Sequence, residues 1–213
     1  MPKLLFQGHA SLRLTADDGR IVYIDPYKGK GYDLPADIIL VTHQHSDHNQ
    51  IERCAQKPDC RIITNVEALA GGSHNSFDIG GILIQAVEAS NKKHDPKLCV
   101  GYIITMDGVK IYASGDTSLT KQMESFASLE LDYAFFPGDG MFNMGLDEAA
   151  ECARLINAKH NTLIHLKPGE SYRKKGAQWK APNKLIINSG DEIELNLSKN
   201  CHSALDAESP VHC

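Results

Sequence analysis

The 213-residue sequence has no apolar run that approaches the ~20 residues required by a membrane-spanning helix. It also lacks a signal-peptide core, because Met1-Pro2-Lys3 leads into only three apolar residues, Leu4-Leu5-Phe6. The six cysteines form no C-x-x-C pair and no dense framework, which fits a reducing compartment. We therefore expect a cytoplasmic protein that does not associate with membranes.

An excess of positive charge is also missing. The chain has 22 Lys and Arg residues against 27 Asp and Glu residues, giving a formal net charge of -5. This balance argues against a partner bound through a large basic surface, so we do not expect nucleic acid. A small-molecule substrate is the expected partner, and the sequence leaves open whether copies of the chain form a homo-oligomer.

The length and composition favour one folded domain. Layered α/β folds of ~200 to 250 residues bury a single core, and 42% hydrophobic with 23% charged residues is ordinary for a globular protein. Short β-type and α-type segments alternate along residues 1–196 and predict an α/β domain. Residues 197–213 are polar and lack a sustained hydrophobic period, so we expect a poorly ordered tail there.

Several element predictions follow from local patterns. A short helix is expected over 49–54, with Ser46 or Asp47 at its start. Helical spacing predicts a second helix over 147–156. A last strand pair, 185–187 with 193–195, is expected around the turn signal Gly190-Asp191.

A dense group of metal-ligand side chains follows the apolar run Ile38–Val41. The six residues from 43 to 48 contain three histidines and an aspartate: His43, His45, Asp47 and His48. A buried strand end has no packing use for these groups, because each would need its own polar partner to offset desolvation. A divalent cation satisfies all four together. The alternative to a metal site is a solvated polar turn.

Three further predicted strand ends carry ligand-type residues. These are the loop from Asn91 to His94, Asp116 after Ile111-Tyr112-Ala113, and His165 after Leu163-Ile164. Loops from several strand ends meet at one edge of the sheets in layered α/β proteins. The sequence thus predicts one composite metal site.

These motifs carry a resemblance to a known family. Thr42–His48, Ser114-Gly115-Asp116-Thr117 and Ile164-His165 together resemble the metallo-β-lactamase superfamily of metal-dependent hydrolases, over Gly8 to about Leu195. The opening Gly8-His9-Ala10-Ser11 looks like the small Zn-dependent hydrolase branch, which is similar to the ascorbate-phosphate lactonase group. The resemblance implies an αββα sandwich, two face-to-face mixed β-sheets with outer helices.

The resemblance also implies ligand roles. His43 and His45 look like ligands of a first metal, Asp47 and His48 like ligands of a second, and Asp116 like the bridging carboxylate. His165 resembles the last ligand of the second metal, while His94, shifted by one residue from the family position, is the candidate third histidine of the first. Asp25 is expected to orient a ligand histidine. One or two Zn²⁺ ions are expected, and Mn²⁺ or Fe²⁺ accept the same donors.

The expected chemistry is hydrolysis of a small ester, lactone or phosphodiester by a metal-activated water, with Asp47 and Asp116 as the catalytic carboxylates. Basic residues beside the ligand loops favour an anionic substrate: Lys92, Lys93, Lys167, Arg173, Lys174 and Lys175. Two alternatives stay open. One is a nuclease or thioesterase of the same superfamily, and the other is a non-catalytic metal-binding module.

Overall fold

The computed structural model describes residues 1–196, and the predicted tail 197–213 lies outside the described residues. Twelve strands form two mixed sheets of six strands each. The first sheet has the order β12-β1-β2-β3-β4-β5. Its strands are β1 (Lys3–Gly8), β2 (Ser11–Thr15), β3 (Ile21–Ile24), β4 (Ala36–Leu40), β5 (Gln56–Ile63) and β12 (Glu192–Glu194).

The second sheet has the order β11-β10-β9-β8-β7-β6. Its strands are β6 (Ser76–Ile79), β7 (Ile82–Glu88), β8 (Val100–Met106), β9 (Val109–Ala113), β10 (Tyr133–Pro137) and β11 (His160–Ile164). Strands β9, β10 and β11 run parallel to one another, as do β3, β4 and β5 in the first sheet. Parallel strands end at the same sheet edge, which brings their following loops together.

Three α-helices form within residues 1–196: α1 (Asn65–Ala68), α2 (Leu146–Ile156) and α3 (Tyr172–Gln178). Single 3₁₀ segments cover Ile51–Arg53, Ala70–Gly72 and Lys121–Leu129. Helix α2 forms where helical periodicity predicts it, because Ala149, Cys152, Ala153 and Ile156 recur on one buried face. Among residues 1–196, no helix has the length and apolar character needed to cross a membrane.

The main core lies between the two sheets. Leu4, Phe6 and Leu12 of the first sheet pack with Tyr102 and Ile104 of the second in one buried cluster. Alternating residues of each strand face this layer, as expected for sheets buried on one side. A second cluster forms under α2, where Phe136, Cys152 and Trp179 are buried. The predicted αββα sandwich is confirmed.

Two element predictions need correction. The short helix expected over 49–54 forms only as the 3₁₀ segment Ile51–Arg53, with Gln50 instead of Ser46 or Asp47 at its start, and residues 56–63 then form β5 beside β4. The expected pair of strands around Gly190-Asp191 does not form. Its second strand, β12, pairs with β1, and residues 185–187 are not a strand.

Backbone hydrogen bonds join the two sheets at the edge where the predicted ligands lie. The N–H of His165 donates to the carbonyl oxygen of His9 at 2.7 Å, and the N–H of Val100 donates to that of Thr42 at 3.0 Å. The first bond connects the loop after β11 to the loop after β1, and the second connects the start of β8 to the loop after β4. The relative position of the ligand loops is therefore fixed by the backbone.

Candidate metal centre

The ends of several strands turn sharply so that their next side chains point into one space. His9, Asp25 and His165 follow β1, β3 and β11, and their φ angles are 58°, 47° and 46°. Residues with a Cβ seldom adopt this left-handed conformation, and its cost of roughly 1–3 kcal/mol is typical of functional sites. Three such turns at one edge indicate that backbone strain is concentrated at this site.

One half of the centre contains the predicted first-metal residues. Ligand atoms of His43, His45 and His94 all lie within 4.8 Å of one another, and Nε2 of His94 is 3.2 Å from Nδ1 of His45. Burial lowers the pKa of His43 to about 2 and also lowers the pKa of His94. Both rings are therefore neutral near pH 7, which is the form that binds a metal.

His94 reaches this cluster from the loop after β7. Its Nδ1 lies 2.9 Å from Oδ1 of Asn91, so that the ring presents Nε2 to the centre. The same Nε2 is 3.3 Å from Oδ2 of Asp116. The structure thus brings the shifted loop histidine beside the other predicted ligands, with Asn91 as its orienting partner.

The other half of the centre surrounds Asp47 and His48. Ligand atoms of His9, Asp47, His48 and His165 lie within 4.8 Å of one another. Asp116 lies between the halves, because its Oδ1 is 3.2 Å from Nε2 of His48 and 3.3 Å from Nε2 of His165 while its Oδ2 faces His94. Asp116 is therefore the carboxylate that contacts histidines of both halves.

Two carboxylates outside the cluster orient its histidines. Oδ2 of Asp25 is 2.8 Å from Nδ1 of His48, and Oδ2 of Asp139 is 3.1 Å from Nδ1 of His165. Both contacts leave Nε2 of the histidine facing Asp116. Carboxylate partners of this kind fix the ring orientation and raise the basicity of a metal ligand.

Thr42 connects Asp25 to the first half. Its backbone N–H and its Oγ1 donate to the Asp25 carboxylate at 2.8 and 2.7 Å, and Oγ1 lies 3.1 Å from Nδ1 of His43. The strand-to-loop turn is thereby held to the same carboxylate that orients His48.

The cluster has strong internal electrostatics. Burial raises the pKa of the Asp116 carboxyl, but His48, His165 and His43 outweigh burial and hold this pKa well below its usual range. Burial disfavours charge on His48, whereas Asp25 and Asp116 outweigh this effect and raise the His48 pKa well above 6.5. The hydrogen bond from His9 is the largest influence on Asp47 and lowers its pKa. The carboxylates are ionised, and their negative charge favours a cation among them.

Orphaned polar atoms show that this donor set fits a metal ion. Within the described chain, four buried atoms around Asp116 have no hydrogen-bond partner: Nε2 of His43, Nε2 of His48, Oδ1 of Asp116 and Nε2 of His165. A buried polar atom without a partner costs about 1–3 kcal/mol. Imidazole nitrogens and a carboxylate oxygen together suit a divalent cation of the Zn²⁺, Mn²⁺ or Fe²⁺ type.

Gly115 allows Asp116 to approach the histidine motif. Its φ is 62°, and a Cβ at this position would lie 2.9 Å from Cβ of Thr42. A larger residue would therefore strain the backbone and push the loop after β9 away from Thr42.

A cavity of about 470 Å³ opens beside the second half. His9, Asp47 and His165 lie on its side nearest the cluster, and Asp139 also lines it. The remaining wall comes from the loops after β3, β10 and β11: Tyr27, Lys28, Met141, Phe142, Leu166, Lys167 and Tyr172 among others. Its volume is in the range of small-molecule sites.

Some contributors were not predicted from sequence. Asp139 follows β10 in Pro137-Gly138-Asp139, a strand-end carboxylate of the kind that marked Asp116. Helix α3 was not predicted, and its Tyr172 accepts a hydrogen bond from the N–H of His9 at 3.1 Å. Of the six basic residues predicted to favour an anionic substrate, only Lys167 lines the cavity, whereas Lys28 does so without having been predicted.

Comparison with known proteins identifies the family to which this fold belongs. Residues 3–165 match the family model described as the beta-lactamase superfamily domain. The chain belongs to this family. A UPF0173 metal-dependent hydrolase of Thermococcus onnurineus is 30% identical over 191 residues, which cover 78% of this chain and 84% of that protein.

Solved structures of the superfamily have the same fold. A structure from Parabacteroides distasonis, described as a metal-dependent hydrolase, is 29% identical with a TM-score of 0.73, covering 88% of this chain and 93% of its own. Igni18, a metallo hydrolase from Ignicoccus hospitalis, has a TM-score of 0.74 at 18% identity, and the match covers 92% of this chain and 99% of Igni18. The protein is a metal-dependent hydrolase of the metallo-β-lactamase superfamily.

Proposed function

We propose that this hydrolase cleaves a small ester, lactone or phosphodiester that carries negative charge, with water as the nucleophile. The observation that carries the proposal is a group of buried metal-ligand atoms without hydrogen-bond partners, namely Oδ1 of Asp116 and the histidine nitrogens around it. This group lies directly beside a cavity of about 470 Å³. We assign His43, His45, His94 and Asp116 to one metal position, and Asp47, His48, Asp116 and His165 to the other. Zn²⁺ is the cation we favour for this set of nitrogen and oxygen ligands.

A divalent cation held by these residues would lower the pKa of water from about 15.7 to about 7 and polarise the carbonyl or phosphoryl oxygen of the substrate. The side chains of the chain supply orientation. Asp25 and Asp139 hold Nε2 of His48 and His165 toward Asp116. Asp47 lines the cavity with a carboxylate of lowered pKa, so it remains ionised and can accept a hydrogen bond from the attacking water.

The cavity wall supports the substrate class. Met141 and Phe142 are 61% and 53% exposed at its rim and offer an apolar surface to the body of a substrate. Lys28 and Lys167 lie in the same wall, and neither ammonium group has a carboxylate partner among residues 1–196. Such free cations favour an anionic group on the substrate.

The cavity also bears on the alternatives. A nuclease would hold a polymer backbone along a basic groove, whereas this cavity has two lysines and is also lined by the carboxylates of Asp47, Asp139 and Glu170. A non-catalytic metal-binding module has no need for a cavity beside its metal position. The small-substrate hydrolase therefore accounts for more of the observed geometry.

The test combines metal analysis with matched substrates. Protein purified without chelator should contain at least one equivalent of a transition metal. It should hydrolyse an anionic probe such as bis(p-nitrophenyl) phosphate, or an anionic lactone, with a lower KM than a neutral p-nitrophenyl ester. Lys167→Met should raise KM for the anionic probe only, and Lys174→Met, which lies outside the cavity wall, should leave it unchanged.

Less than one equivalent of metal, together with identical inactivity of the parent protein and Asp116→Ala, would contradict the proposed function. If thioesters or nucleic acid are the preferred substrates, the proposed substrate class is wrong but the protein is still a hydrolase. An equal effect of Lys167→Met on neutral and anionic probes would remove the anionic requirement.

A further inference from the structure

Three side chains, those of Asp139, Asn143 and Asn91, link the two halves of the metal centre behind the ligand histidines. Asp139 Oδ2, which lies 3.1 Å from Nδ1 of His165, accepts a hydrogen bond from Nδ2 of Asn143 at 2.9 Å. Oδ1 of Asn143 accepts from Nδ2 of Asn91 at 2.8 Å. Oδ1 of Asn91 lies 2.9 Å from Nδ1 of His94. The chain of contacts thus runs from His165 to His94.

The direction of each hydrogen bond in this chain follows from its first member. An ionised carboxylate only accepts, so Asn143 must present its NH₂ group to Asp139 and its oxygen to Asn91. Asn91 must then present its NH₂ group to Asn143 and its oxygen to His94. Because that oxygen also only accepts, Nδ1 of His94 carries the proton and Nε2 keeps its lone pair. The same carboxylate also lies 3.1 Å from Nδ1 of His165.

Further contacts hold the chain in place. Oδ1 of Asp139 accepts from the backbone N–H groups of Met141, Phe142 and Asn143 at 2.6, 2.8 and 3.1 Å. Oδ1 of Asn91 also accepts from the N–H of Lys93 at 2.8 Å. Backbone N–H groups therefore hold the two ends of the chain of contacts, at Asp139 and at Asn91, and a rotated amide would lose a bond on each side.

We propose that Asn143 is a positioning residue. Held by the carboxylate of Asp139, it directs the side-chain oxygen of Asn91 to Nδ1 of His94, so that Nε2 of His94 is the nitrogen that binds the metal. This inference rests on the proposed function, because it takes His94 and His165 as metal ligands. It also explains how a histidine of the loop after β7 reaches the cluster with Nε2 facing Asp116. The Asn91–Asn143 pair fixes the ring from behind.

The test is a double-mutant cycle of Asn91→Ala and Asn143→Ala on the full chain. Zn²⁺ affinity is measured by competition with a chelator, and the histidine tautomers are read from the ¹⁵N chemical shifts of the ring nitrogens in the Zn²⁺-loaded protein. Each single variant should lose about 10–100-fold in Zn²⁺ affinity, the effect typical of removing an orienting partner. The double variant should lose little more than either single one, because both changes interrupt the same chain.

The matched control is Asn161→Ala. Asn161 is a fully buried asparagine whose Nδ2 donates to the carbonyl oxygens of Ala158 and Pro182 instead of to the centre. This variant should lower the melting temperature but keep the parent Zn²⁺ affinity and the parent His94 signals. Asn143→Asp, which sets a second carboxylate against Asp139, should weaken Zn²⁺ binding at least as much as Asn143→Ala.

Additive losses of Zn²⁺ affinity in the cycle would overturn this inference and leave the proposed function intact. The same holds for an Asn143→Ala protein that keeps the parent Zn²⁺ affinity and an Nδ1-protonated His94. A parent protein that binds no Zn²⁺ would overturn it together with the proposed function. If Asn143→Ala lowers only the melting temperature, as Asn161→Ala does, and leaves the His94 signals unaltered, Asn143 has only a structural role and the inference is also overturned.

Discussion

Oδ2 of Asp25 lies 2.8 Å from Nδ1 of His48, and both side chains are buried. Asp25 follows β3 and His48 belongs to the loop after β4, so two adjacent parallel strands meet in this one contact. The carboxylate also accepts both hydrogen bonds from Thr42. Asp25 therefore orients the loop and its histidine together.

Asp25→Asn should weaken metal binding by about 10–100-fold, because an amide has one acceptor oxygen where the carboxylate has two. We expect a lower melting temperature as well, since one buried donor loses its partner at a cost of about 1–3 kcal/mol. Asp132→Asn is the matched control: Asp132 is also buried but accepts from Lys110 and Lys159 instead of from the centre. Equal metal affinities of the two variants would contradict the orienting role.

Asp116→Asn should remove most of the bound metal and reduce kcat/KM by at least about 100-fold, since this variant loses the negative charge that faces three histidines. The amide has nearly the same shape, so the apo protein should remain folded. Metal analysis and circular dichroism of the same sample test both statements. A variant with the parent metal content would show that Asp116 is not a bridging ligand.

His94→Ala should lower the metal content of protein that otherwise holds two equivalents, because only the position containing His43 and His45 loses a ligand. His74→Ala, an exposed histidine away from the cluster, should leave the metal content unchanged. Elemental analysis after dialysis against metal-free buffer compares the two. An unchanged value for His94→Ala would remove this residue from the proposed ligand set.

Tyr172→Phe should destabilise the protein by about 1–3 kcal/mol, because the N–H of His9 would lose its acceptor. The ring and its edge contact with Phe6 would be retained, so the loss reports on the hydroxyl group. Tyr27→Phe is the matched control, because Tyr27 contacts the other side of His9 through its ring and its hydroxyl has no hydrogen bond among the described residues. Urea denaturation should separate the two; equal midpoints would contradict the role of Tyr172.

Metal removal should lower thermal stability. A ligand that binds only the folded state at 100 times its Kd contributes about 2.7 kcal/mol, and 1 kcal/mol shifts the melting temperature of a protein of this size by about 2–4 °C. Dialysis against a chelator should therefore lower the melting temperature by several degrees, and Zn²⁺ should restore it. A melting curve that is insensitive to chelator would argue against occupancy of the centre.

The ligand types were predictable because they are concentrated locally. Thr42–His48 places four ligand side chains after one buried strand, and Asp116 and His165 each follow an apolar strand. Strand periodicity locates these ends, and parallel strands bring them to one sheet edge. The predicted sandwich follows from the same alternation of strands and helices.

Other features depend on contacts between distant segments. β12 pairs with β1 instead of with residues 185–187, since sheet pairing is decided by which edge remains open in the folded chain. Similarly, local sequence does not indicate that Tyr172 reaches His9 or which lysines line the cavity. These are consequences of the way loops pack, which no local periodicity encodes.

The sequence by itself determined that residues of metal-ligand type stand at several strand ends, because residue type and strand pattern are local properties. Only the tertiary structure decided that His94 lies beside Asp116 and that Asn91, Asn143 and Asp139 support it from behind. The physical reason is that a hydrogen bond is satisfied by direction and distance in three dimensions, whatever the separation along the chain.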